Sequence, residues 1–81
     1  MMANAALTAL TPGQSAVVTD IHLAPEERSR LLELGLVPGT LVELVRFAPL
    51  GDPVEIKVRG YHLTLRRHEA EQIQVQSPPA A

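Results

Sequence analysis

A chain of 81 residues makes one domain, and at that length it buries only about 60–65% of the surface it exposes when unfolded. The absence of cysteine excludes disulfide staples and thiolate metal sites. A net charge of −2 gives no global pull towards phosphate backbones, and Phe47 and Tyr61 are too few aromatics for base stacking or for a groove that reads proline-rich peptides.

No stretch approaches the roughly twenty apolar residues of a membrane span. The N-terminal run Met1 to Leu10 lacks the positive region of a signal peptide. A cytoplasmic protein without direct membrane insertion is therefore expected. Residues 1–6 read as a flexible Ala-rich tail, and Leu10-Thr11-Pro12-Gly13 as a turn. Gln14 to Ile21 has strand composition. Pro25, with Glu26 and Glu27 behind it, opens a helix: its missing N–H costs nothing in the first turn, and the carboxylates sit at the positive end of the helix dipole. The helix should run from Pro25 to Leu34, with Leu31, Leu32 and Leu34 as its buried stripe.

Gly35 falls where a left-handed residue ends a helix. Leu31 and Leu36 then stand at the spacing of a Schellman contact, and Pro38-Gly39 marks a turn. These five residues read as fold residues. Thr40 to Phe47 follows as a strand. Strict alternation points Val42 and Leu44 to the core, Glu43 outwards, and Leu41 and Phe47 to the face opposite the core. Ala48-Pro49-Leu50-Gly51-Asp52-Pro53 is a loop stiffened by its prolines. Val54 to Arg59 alternates apolar and charged residues without a fault. Gly60-Tyr61 turns the chain into His62 to Arg66, a helical turn covers His68 to Glu71, and Gln72 to Gln76 closes as a fifth strand before a tail at 77–81. Five short strands and one helix suit a mainly β fold: a small, strongly bent antiparallel barrel, with the helix between strands 1 and 2 and a helical turn before the last strand.

The order of these pieces resembles the FeoA family. The resemblance lies in Arg30-Leu31-Leu32-Glu33-Leu34-Gly35-Leu36-Val37-Pro38-Gly39-Thr40, in Val45-Arg46-Phe47-Ala48-Pro49-Leu50-Gly51-Asp52-Pro53-Val54-Glu55, in Leu63 to Val75, and in the opening Leu10-Thr11-Pro12-Gly13. It covers a domain at about residues 7–76. It implies an SH3-like barrel and a small cytoplasmic accessory protein of bacterial ferrous iron uptake. The implied partner is FeoB, a membrane permease with a cytoplasmic GTPase domain, on which the chain would act as adapter or modulator. The alternative is a regulatory or metal-sensing domain, because the same fold occurs at the C-terminus of iron-dependent repressors.

Candidate sites are few. Asp20 and His22 are two apart on a strand and share a face, a weak metal pair. No histidines have helical zinc-site spacing, so solvated or locally bonded histidines, and no cofactor, are expected. There is no phosphate loop, and Ser15, Ser29 and Ser77 lack the flanks of a nucleophile elbow, so no catalysis is expected. Arg46, Arg66 and Arg67 are the arginines available as a finger for a GTPase; the competing reading pairs such strand arginines with Glu43 and Glu55. For partner binding the residues are Arg46, Phe47, Pro49, Leu50 and Asp52, a stiff loop that binds at low entropic cost, unless Leu50 folds back over the barrel end. Edge strands leave weak self-association open.

Overall fold

A computed structural model describes residues 4–77. The parts of the two expected tails at 1–3 and 78–81 lie outside the described residues. The elements in chain order are β1 (Ala5–Ala6), β2 (Ser15–Ile21), α1 (Pro25–Glu33), β3 (Leu41–Phe47), β4 (Val54–Val58), β5 (Tyr61–Leu65), α2 (Arg67–Glu71) and β6 (Ile73–Gln76), with a single 3-10 turn at Leu7–Ala9 after β1. The six strands of the described residues pair antiparallel in one sheet of order β1-β6-β2-β3-β4-β5. β2 to β6 are the five strands expected from sequence, with α1 and α2 in the expected places.

The sixth strand is a correction. Ala5 and Ala6, expected in the N-terminal tail, pair with Val75 and Gln74 on the outer edge of β6. Two alanines carry no side-chain signal of a strand. What holds them is backbone pairing, the wholly buried Leu7 that follows, and Asn4, whose Oδ1 accepts from Gln76 Nε2 at 2.8 Å.

The alternation of β4 is the frame of the core: Val54, Ile56 and Val58 are all buried, against Val42 and Leu44 of β3, Leu65 of β5 and Val18 of β2. Each such side chain contributes roughly 1.5–3 kcal/mol on burial. Two bulges bend the sheet. One lies between Val18 and Asp20 of β2, the other between Leu44 and Arg46 of β3. A bulge inserts one unpaired residue, so every side chain beyond it changes face. Val45 is that residue in β3. Strict alternation had put Phe47 opposite the core. The bulge pairs Phe47 with Val54 and brings its ring to the core margin, leaving Arg46 outside, paired with Glu55.

α1 is largely polar and buries only Leu31 completely. Its C-terminus is closed by a Schellman motif: Leu36 N–H donates to Leu31 O at 3.1 Å and Gly35 N–H to Leu32 O at 3.0 Å, with Gly35 at φ 101°. Leu31 and Leu36 both lie in the core cluster. The Tyr61 hydroxyl of β5 donates to the Leu34 carbonyl, one of the acceptors a helix end leaves open. Val37-Pro38-Gly39-Thr40 then forms a turn with Thr40 N–H on Val37 O at 3.1 Å, and Gly39 N–H reaches Val18 O at 2.7 Å. Proline second and a positive-φ glycine third match a type II turn.

Candidate partner-docking site

The loop between β3 and β4 is held from four directions. Ala48 O accepts from Gly51 N–H at 2.7 Å, closing a turn with Pro49 at its second position. Ala48 N–H donates to Pro53 O at 3.0 Å, closing the base. Asp52 Oδ1 accepts the Arg67 N–H at 3.0 Å, capping the first turn of α2 from outside the helix. Arg67 reaches back: its Nη1 donates to Gly51 O at 3.1 Å, and its guanidinium lies 5.6 Å from the Phe47 ring centroid. Glu71, one turn along α2, stands 3.5 Å from Arg67 Nε and steadies that side chain.

Leu50 does not fold back. At the third position of the turn it is 97% exposed, on a backbone that hydrogen bonds fix on both sides. An apolar side chain on a braced loop loses little entropy on binding. The loop residues singled out from sequence therefore separate into two groups. Leu50 and Pro49 are presented to solvent, whereas Asp52 and Phe47 hold the loop to α2 and to the core margin.

Arg46 lies on the other face. Its Nε donates to Glu55 Oε1 at 3.0 Å, while Glu55 Oε2 meets His62 Nδ1 at 2.8 Å. The His62 hydrogen bond, then that of Arg46, hold the Glu55 carboxyl below its ordinary pKa. Of the three finger candidates, Arg46 is engaged by Glu55 and Arg67 by the loop. Arg66 is exposed on the N-cap of α2.

Asp20 and His22 do meet, with His22 Nε2 3.0 Å from Asp20 Oδ2. The other oxygen, Oδ1, accepts the Ile21 N–H at 2.9 Å. That backbone bond first, and His22 second, lower the Asp20 pKa. Among the described residues no third His or carboxylate joins them, so two donors bound to each other and to the backbone make a poor cation cage.

Sequence reasoning missed a different cluster. Glu27 of α1 with His68 and Glu69 of α2 bring ligand-type atoms within 4.8 Å of one another. His68 Nε2 lies 3.2 Å from Glu27 Oε2. Glu69 is buried, and its Oε2 accepts from Arg30 while its Oε1 accepts the Arg66 N–H at 3.2 Å. Burial raises the Glu69 pKa, but Arg30 and the Arg66 N–H together outweigh it and leave it lowered. The guanidinium already supplies the positive charge this carboxylate needs, so the cluster works as a brace between α1 and α2. Its partners are 39 and 41 residues apart in sequence, and only the Glu69 bond to the residue three before it leaves a local signal.

The family model described as FeoA domain matches residues 5–77. A fusion protein of Fe(2+) transport protein A and the Fe(2+) transporter FeoB from Porphyromonas gingivalis is 37% identical over 70 residues, which are 86% of this chain; the chain spans only 8% of that protein's length. Among solved structures, the FeoA protein of Chlorobium tepidum is 47% identical with a TM-score of 0.84, over 89% of this chain and 69% of that one. The FeoA-like protein of Clostridium acetobutylicum is 30% identical with a TM-score of 0.85, over 100% of this chain and 94% of that one. The T. acidophilum IdeR shares the fold alone, at 23% identity and a TM-score of 0.83, over 94% of this chain and 35% of that one. The matched span takes in every strand from Ala5 to Gln76 and both helices, so this chain belongs to the FeoA family.

Proposed function

We propose that the chain is an accessory interaction module of ferrous iron uptake that docks on the cytoplasmic part of a FeoB-like permease. The observation that carries this reading is the Porphyromonas gingivalis relative, whose name joins Fe(2+) transport protein A and FeoB in one polypeptide. A fusion holds two domains at an effective concentration that separate chains must replace with affinity. The braced loop supports the reading from the structural side: Leu50 is presented, Pro49 stiffens the turn, and Asp52, Phe47 and Arg67 keep the loop in place. Arg46 stands beyond Val45 on the outer face, where Glu55 orients it. The role is that of an adapter or modulator in the cytoplasm rather than of a catalyst; no helix among the described residues is long and apolar enough to cross a membrane.

The experiment is titration of the separated cytoplasmic domain of a FeoB permease with this protein, read by calorimetry. Leu50→Asp keeps the fold, because Leu50 contributes nothing to the core, and weakens binding about tenfold or more, the scale of losing one buried anchor. No binding by the wild-type chain, or unchanged binding by folded Leu50→Asp, removes the proposal.

A further inference from the structure

The β3–β4 hairpin has a second surface at its other end. There the Val37-Pro38 turn, the start of β3 and the end of β4 enclose a groove of about 610 Å³ on the outer face of the sheet. Its apolar part is Val37, Pro38 and Leu41, and Leu41 is 53% exposed although it lies in a strand. Glu43 of β3, Lys57 of β4 and Arg59 of the turn after it also line the groove, two cations to one carboxylate. The ion pairs among the described residues engage Arg30, Arg46 and Arg67, but neither Lys57 nor Arg59. Glu43 and Lys57 are directly opposite in register and still form no ion pair.

The backbone at Arg59 adds to this. Arg59 and Gly60 are the two central residues of the hairpin between Val58 and Tyr61, with φ of 51° and 86°. That turn favours Asn, Asp or Gly at its first central position, because a Cβ is strained in the left-handed region and the short polar groups of Asn and Asp offset this by bonding locally. Here an arginine occupies it and lines the groove.

From the apolar floor and the unpaired cationic wall, we infer that this groove docks an extended acidic-apolar segment of a partner polypeptide. A leucine-sized side chain covers Val37, Pro38 and Leu41, and a carboxylate is reached by Lys57 and Arg59. The volume lies within the ~300–1,000 Å³ of sites that enclose small ligands or short peptide stretches. Leu41 and Phe47 stand at opposite ends of β3, ~20 Å apart at the rise of a strand. The groove is therefore separate from the Leu50 loop, and the chain has the two surfaces that an adapter needs.

The test uses the full chain, labelled with nitrogen-15, and an acetylated and amidated hexapeptide, Asp-Leu-Pro-Asp-Leu-Glu. A control peptide carries Lys at each acidic position. The acidic peptide is expected to shift the amides of 37–43 and 57–60 saturably, and the basic peptide is not. Arg59→Asn relieves the turn, so it unfolds no earlier than wild type, yet it weakens the peptide about threefold to fivefold; Lys57→Gln combined with Arg59→Asn weakens it about tenfold. Leu50→Asp leaves peptide binding unchanged, which separates this site from the FeoB-docking loop. Four results overturn the inference: no shifts in the groove at millimolar acidic peptide, equal shifts from the basic peptide, undiminished binding by the double variant, or a dimer in sedimentation whose contact shifts fall on the groove.

Discussion

The two ends of α1 are held by different physics. At the C-terminus the ties are apolar and backbone: Leu31 and Leu36 meet inside the core, Gly35 supplies a left-handed residue, and the Tyr61 hydroxyl, on a side chain exposed to solvent, closes the Leu34 carbonyl. The N-terminal half has no side-chain cap at Ala24, and none of its side chains is fully buried. Its tie to α2 is Glu27–His68, while Arg30, in the last turn, pairs with Glu69; both pairs are partly open to water. A short polar helix would not form alone. The leucine cap is fixed by burial and is indifferent to pH and salt; the ties to α2 are fixed by charge and respond to both.

Breaking the leucine cap has the largest effect. Leu31→Ala removes a wholly buried side chain from the helix–sheet contact and costs about 3 kcal/mol or more, measurable by urea unfolding. Gly35→Ala is next. Its Cβ would lie 3.2 Å from the Tyr61 hydroxyl, at a φ that L residues rarely adopt. Backbone strain of roughly 1–2 kcal/mol adds to about 1 kcal/mol for a disturbed hydrogen bond. Tyr61→Phe isolates the second contribution, since it deletes the hydroxyl and leaves the glycine; a loss well below that of Gly35→Ala is expected. Equal losses would mean that the hydroxyl, not the backbone, sets the helix stop.

This contrast also explains what could be read in the sequence. The helix stop was legible because a Schellman closure is local: Leu31, Gly35 and Leu36 carry it within six residues. The alternation of β4 was legible for the same reason. The placement of Phe47 was not. It depends on a bulge at Val45 that no residue type announces, and one extra residue reverses the face of all that follow. β1 was missed because two alanines acquire strand identity only from β6, some seventy residues later. Leu50 was legible as a loop tip, but its bracing by Arg67 and Asp52 rests on contacts across 15 and 16 residues. The Lys57–Arg59 groove hid within an ordinary half-buried strand, where charges facing solvent need no explanation.

The charged ties to α2 yield smaller effects with a distinctive pH signature. Arg30→Ala leaves the Glu69 carboxylate, 4% exposed, without its guanidinium; the expected cost is about 1–2 kcal/mol, tempered because the Arg30 side chain is half open to water. The folded pKa of Glu69 lies below its ordinary 4.5. Its contribution is therefore complete above that value and is lost as pH falls through the lowered folded pKa. Melting temperature followed from neutral to acid pH should drop less steeply in Glu69→Gln than in wild type over that window. A Glu69→Gln curve parallel to wild type would assign the acid sensitivity to another carboxylate, Glu55 and Asp20 being the other two whose pKa is lowered.

The outermost tie should be the weakest. Glu27 and His68 are 43% and 57% exposed, so their attraction is screened and side-chain entropy opposes it. A double-mutant cycle with Glu27→Gln and His68→Ala should return a coupling of about 0.2–0.5 kcal/mol. Amide exchange sharpens the same point without mutation. The N–H of Arg28, bonded to the Ala24 carbonyl at 2.9 Å in the first turn, should exchange much faster than that of Leu36, bonded to Leu31 at 3.1 Å in the core. If the two are equally protected, α1 opens as one unit and the ties to α2 are as firm as the leucine cap. If Arg28 exchanges first, the helix frays from its charged end, and that end is the part of the domain most open to adjustment by pH, salt or a bound partner.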